Sequence, residues 1–156
     1  YFQIPQLIEF DQKRNLNLII QDLCSHWNIT DYDQYSLQFI DQSNNAYITE
    51  KNRNEVKNGS FLRMTLSASR TAQDILNTLQ FDEGDQRREA FVKLVKLSND
   101  YTFALEFINK QGLQFLIDSI EKDEISYKDG FGLSLESFVD LMDHGIISWY
   151  EQLKVQ

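Results

Sequence analysis

The chain has 156 residues, 42% of them apolar, and a formal net charge of −9. That is enough chain and apolar content for one ordinary domain or two small ones, and it excludes global disorder. The acidic field makes free nucleic acid a poor partner. No apolar run approaches the length of a membrane span.

The opening "YFQIPQLIEF" has neither a basic n-region nor an h-region, so it is no signal peptide; it reads as a chain entered partway into a domain. "QLIEF" at 6–10 alternates like a strand, with Ile8 and Phe10 toward a core and Leu7 and Glu9 outward. Leu16, Ile19, Ile20, Leu23 and Trp27 recur at spacings of three and four, which predicts an amphipathic helix capped by Asn15. Cys24 lies in that stretch as a small core residue. A single cysteine forms no internal disulfide and suits a reducing compartment.

"YSLQFI" at 35–40, "AYIT" at 46–49 and "FLRMTLS" at 61–67 read as further strands. Asn58-Gly59 supplies the positive φ of a tight turn just before the last of them. The charged run 50–57 reads as a solvated connection, because its charges nearly cancel. "DQSNNAYITEKN" at 41–52 fails as a calcium loop: its sixth position is Ala46 and its twelfth Asn52.

From about position 70 the period turns helical, after a short "SASR" linker at 67–70. Five stripes follow: Ala72, Ile75, Leu76 and Leu79; Ala90, Phe91, Leu94, Val95 and Leu97; Phe103, Ala104, Phe107 and Ile108; Leu113, Leu116, Ile117 and Ile120; Leu135, Phe138, Val139 and Met142. Ile146, Trp149, Tyr150 and Leu153 begin a sixth. Asp100 or Thr102 caps the third. "FINKQGLQFL" and "LMDHGIISWY" look like one junction used twice, with Gly112 and Gly145 each ending a helix in the left-handed conformation. The two glycines are 33 residues apart, a weak repeat of the kind stacked helical hairpins show.

No sequence motif brings a nucleophile, a base and an oxyanion donor together, and none holds a phosphate or metal. His144, beside Gly145, faces either helix carbonyls or solvent. "DEGD" at 82–85 reads as a solvated loop. The reading is therefore of a non-enzymatic chain without cofactor or metal.

"IEFDQK", "DLCSHW", "YITEKNRNEVKNGSFLR", "TFALEFINKQG" and "FVDLMDHGIISW" together resemble the N-terminal region of the engulfment and cell motility (ELMO) family over nearly the whole chain. "YITEKNRNE" and "LMDHGIISW" are the specific strings. The resemblance implies an α+β architecture: a ubiquitin-like β-grasp domain of Ras-binding type over 1–68, then an all-α armadillo-like helical repeat domain over 69–156. The first strand of the grasp would precede Tyr1. The resemblance further implies a cytoplasmic scaffold, recruited to the plasma membrane through partners. Such a scaffold binds GTP-loaded small GTPases, RhoG and Arf-like proteins among them. With a DOCK-family exchange factor, held by a C-terminal part outside this sequence, it promotes Rac activation, actin remodelling, migration and engulfment.

In a β-grasp sheet "PQLIEFDQ", 5–12, would form an edge strand with unpaired backbone groups that a GTPase effector strand can extend. This edge geometry nominates Leu7, Glu9, Lys13, Arg14, Asn28 and Ile29 as the GTPase-binding residues; Lys13–Arg14 also reads as a plain solvated turn. Two rivals stand beside it. The helical half could bind a peptide such as a receptor tail, with the β-grasp half as a structural cap, or it could mask the protein's own C-terminal half.

Overall fold

Asn15 starts the first helix. Its side-chain oxygen accepts the N–H of Asn17 at 2.9 Å, satisfying one of the orphan donors of α1, Leu16–His26. The computed structural model describes residues 4–40, 45–122 and 130–148. It divides into two units, 1–67 and 68–156.

In the first unit, β1 (Tyr35–Phe39) pairs antiparallel with β2 (Leu62–Leu66), with Leu37 opposite Met64. The other side of β1 meets residues 46–48. Phe39 N–H donates to the Ala46 carbonyl at 3.0 Å, and Ile48 N–H to the Leu37 carbonyl at 2.8 Å. That contact amounts to an isolated Gln38–Tyr47 bridge, so the expected strand at 46–49 is reduced to one rung. Leu16, Ile20, Cys24, Leu37, Ile48, Val56 and Met64 form the core, with Cys24 Sγ 3.8 Å from Met64 Sδ. The Asn58-Gly59 turn is present: Ser60 N–H closes on the Lys57 carbonyl at 3.0 Å, and Gly59 takes φ +84°.

The stretch 6–10 is not a strand. Residues 4–10 carry no ladder pairing among the described residues, and a strand exists only by pairing. Ile8, expected toward the core, is exposed, whereas Phe10 packs against it.

The second unit is helical: α2 Ala68–Phe81, α3 Gly84–Ser98, α4 Tyr101–Asn109, α5 Gly112–Glu121 and α6 Phe131–Asp143. Because α2 begins at Ala68, the "SASR" stretch is helix start and not linker. Asp100 caps α4 by accepting from Phe103 N–H at 2.9 Å. Phe91, Leu94, Phe103, Phe107, Leu113, Leu116 and Leu141 are fully buried, as contacts α2–α4, α3–α6 and α5–α6 require.

Two helical expectations change. Gly145 is left-handed (φ +66°), but at the other junction Gln111 takes that conformation (φ +63°). Gly112 opens α5, and a β-carbon there would lie 2.3 Å from Phe107 Cε1. One glycine serves a turn and the other makes room for a ring, so the 33-residue spacing does not mark equivalent positions. In α6, Leu135 and Val139 are 40% and 46% exposed, while Ser134, Ser137, Leu141 and Met142 are buried. Ser134 and Ser137 donate back to the carbonyls of Phe131 and Leu133, which lets small polar residues face the interior. Ile146 of the sixth stripe is half-buried; Trp149, Tyr150 and Leu153 lie outside the described residues.

Candidate functional site

The sequence nominated residues on 5–14 and at the end of α1. Leu7 is 102% exposed, and Glu9, Lys13 and Arg14 are exposed as well. Residues 11–14 form a tight turn in which Arg14 N–H donates to the Asp11 carbonyl at 3.2 Å and Lys13 N–H to Asp11 Oδ1 at 2.8 Å. Asp is suited to such a turn because its carboxylate takes a donor two residues on. Arg14 Nη1 lies 2.5 Å from Asp22 Oδ2 on α1.

Asn28 and Ile29 finish α1. Asn28 is left-handed (φ 57°), its N–H donates to the Ser25 carbonyl at 3.2 Å, and Ile29 N–H donates to the Cys24 carbonyl at 2.8 Å. This is the left-handed C-cap, in which Asn tolerates the positive φ and the next residue covers the helix end. Asn28 therefore has a local structural duty at an exposed position, and Ile29 packs against the core that Phe10 also touches.

What fastens the nominated segment is a residue from the charged run. Arg53, read as part of a solvated connection, is only 8% exposed. Its Nη1 donates to Glu50 Oε2 at 2.9 Å, and its Nη2 donates to two main-chain carbonyls, Asp11 at 3.0 Å and Arg14 at 2.5 Å. The guanidinium carbon sits 5.5 Å from the centre of the Phe10 ring. Burying a cation is costly unless it is paired and hydrogen-bonded, and only a forked, planar donor set reaches two carbonyls and a carboxylate at once.

The fastening runs both ways. Gln12 Nε2 donates to the carbonyls of Arg53 at 3.0 Å and Val56 at 2.9 Å. Glu50 Oε1 accepts the N–H of Leu16 at 3.1 Å, so one carboxylate serves the arginine and the first turn of α1. The hydrogen bond from Arg53, then that from Leu16, holds the Glu50 carboxyl below the usual carboxylate range. Sequence reasoning missed Arg53, Gln12 and Glu50. The available signal was the Glu50–Arg53 spacing of three, which suits an ion pair and says nothing of burial.

A shallow depression of about 490 Å³ opens beside Phe39, Ile40, Glu55 and Phe61. Among the described residues no three His, Cys, Asp or Glu side chains come together to hold a metal, and no helix is long and apolar enough to cross a membrane. In the helical unit His144 Nε2 lies 2.6 Å from the Ser98 carbonyl, with the Tyr101 ring edge-on at 5.8 Å. A carbonyl only accepts, so Nε2 carries the proton. His144 thus faces a helix carbonyl, and that carbonyl ends α3.

Fold and site define a two-unit chain: a small α+β unit bearing a clamped, outward-facing segment, and an all-helical unit. Residues 2–67 match the family model described as the ELMO protein N-terminal Ras-binding domain, and residues 102–155 the one described as the ELMO armadillo-like helical domain. The chain belongs to the engulfment and cell motility (ELMO) family, of which it carries the N-terminal region. It is 42% identical over 156 residues to engulfment and cell motility protein 1 of Homo sapiens, covering 93% of this chain and 21% of that protein. Protein 3 of Homo sapiens is 42% identical over 146 residues, covering 94% and 20%. Protein 2 of Mus musculus is 40% identical over 147 residues, covering 92% and 20%. The chain thus spans about a fifth of the length of these relatives.

Proposed function

We propose that this chain is the GTPase-recognition module of an ELMO-type scaffold. Its first unit, a ubiquitin-like β-grasp of Ras-binding type, binds a GTP-loaded Rho or Arf-like small GTPase through Leu7, Glu9, Lys13 and Arg14, with Asn28 and Ile29 at the margin. Through a DOCK-type exchange factor bound elsewhere in the full-length protein, that encounter promotes Rac activation at the plasma membrane during migration and engulfment. The module supplies recognition and no chemistry.

The observation that carries this reading is the match of residues 2–67 to a Ras-binding domain model. Support comes from the segment itself. Residues 4–10 offer backbone groups without ladder partners among the described residues, next to a fully exposed leucine and two exposed cations. Strand addition to a GTPase uses such groups, with alternate side chains giving specificity.

The test is calorimetry against Rho-family and Arf-like GTPases loaded with GDP or a GTP analogue. Binding of the GTP form alone supports the reading. Lys13→Glu is the cleanest probe of the segment, because Arg14 is already paired with Asp22. Leu7→Asp should cost more if Leu7 is an apolar anchor. A second reading, peptide binding by the helical unit, is favoured by the exposed Leu135 and Val139, four residues apart on α6. Loss of binding on Lys110→Glu at the end of α4, with Lys13→Glu silent, would move the site to that unit.

A further inference from the structure

We infer that Arg53 is a positioning residue for the partner-facing segment, acting through the carbonyls of Asp11 and Arg14 without itself meeting the partner; this rests on the GTPase reading above. Three observations carry it. First, within 11–14 Arg53 grips main chain and not side chains, so it fixes the path of that segment whatever its side chains present. Second, the grip is reciprocal, since Gln12 reaches back to the carbonyls of Arg53 and Val56. Third, 4–10 has no ladder among the described residues, so the clamp at 10–14 is what anchors the segment to the unit. The cation is buried at 8% exposure, below Lys13 and Arg14, which remain outside.

Only the arginine of the Arg53–Glu50 pair is buried; the Glu50 side chain stays 61% exposed, and an ion pair with one partner in solvent contributes little to stability by itself. Its advantage here is geometric. The guanidinium ties Glu50, Asp11 and Arg14 at set distances, and Glu50 in turn holds the first turn of α1. The nominated cations are thereby referenced to the helix and to the 50–56 turn at once. Lysine at 53 would keep the charge beside Glu50 but could not span both carbonyls.

The experiment uses the 156-residue chain with Arg53→Lys, Arg53→Gln and Gln12→Ala. It combines amide hydrogen exchange with calorimetry against a Rho-family GTPase loaded with a GTP analogue. Arg53→Lys is expected to raise exchange across 11–16 by about tenfold or more while β1 and β2 stay within about twofold, and to weaken GTPase binding by about tenfold. A merely structural arginine predicts that affinity follows the melting midpoint. The inference requires affinity to follow exchange at 11–16, so that Gln12→Ala weakens binding with little change in midpoint. If Arg53→Gln unfolds the unit, Arg53→Lys and Gln12→Ala carry the test. Unchanged exchange in these variants overturns the clamp; raised exchange with wild-type affinity overturns the positioning role. A wild-type chain that binds no GTPase sinks the functional reading and with it the partner-facing role, while the exchange data still decide whether Arg53 clamps the segment.

Discussion

Phe107 occupies the space in front of Gly112. A β-carbon on Gly112 would lie 2.3 Å from Phe107 Cε1, and the ring is fully buried and stacked on Phe103 at 5.8 Å. The ring has nowhere cheap to go. Gly112→Ala is therefore expected to lower stability by about 1–3 kcal/mol through overpacking, although the helical backbone there suits alanine. Chemical denaturation reads this directly, and an unshifted midpoint would mean that the ring yields.

The neighbouring Gln111 makes the opposite prediction. It holds φ +63° with a β-carbon, a conformation that costs a non-glycine residue about 1–2 kcal/mol. Gln111→Gly removes that strain and adds unfolded-state entropy, for a net gain of up to about 1 kcal/mol. A lower melting midpoint in the glycine variant would contradict it.

Leu94→Ala and Phe107→Ala each empty a fully buried site and should cost about 2–5 kcal/mol. Leu135→Ala and Val139→Ala remove comparable apolar atoms from an exposed face and should stay within about 1 kcal/mol. Equal losses in the two sets, measured by urea titration, would show the burial pattern of α6 to be wrong.

Glu50 gives a pH signature. Its carboxyl is held below its ordinary value by Arg53 and then Leu16, so the unfolded chain binds its proton more readily than the folded one. Its contribution is complete above the ordinary carboxylate range and disappears as pH falls through the depressed folded value. Glu50→Gln should therefore melt below wild type at neutral pH, and the gap should close on acidification. A gap that widens toward acid would reverse the sign and refute the assignment.

Cys24 is fully buried against Met64, and burial pushes its thiol pKa up. Thiolate is the reactive form, so labelling by an alkylating reagent should be slower than for an unfolded control by on the order of a hundredfold. Rapid labelling of native protein would indicate that the first unit opens readily at α1.

The sequence was most legible where structure is local. The Asn15 and Asp100 caps and the stripes of α2 to α5 follow from spacings of three and four, because a helix buries neighbours along its own chain. The reading failed where the deciding partner is distant. Arg53 looked solvated because its acceptors, Asp11 and Arg14, stand 42 and 39 residues away. The 6–10 alternation suggested a strand, but alternation cannot supply a neighbour to pair with. In α6 hydrophobicity favoured Leu135 and Val139, whereas serines that satisfy themselves on the previous turn took the interior. Of the candidate site, exposure at Leu7, Glu9, Lys13 and Arg14 was foreseeable, and the clamp beneath them was not.

The separation between Arg53 and Arg14 also orders events in time. The acceptor carbonyls emerge from the ribosome 39 or more residues ahead of the donor that holds them, so the Arg53 clamp on residues 11–14 cannot form until a long loop closes, which carries an entropic cost. Helix α1, whose contacts are local, can form well before then. The segment is thus late to join during folding and, by the same reasoning, among the first parts of its unit to let go. Transient release of 10–14 from an otherwise intact first unit would then be read as amide exchange at 11–16 that outpaces exchange in β1 and β2.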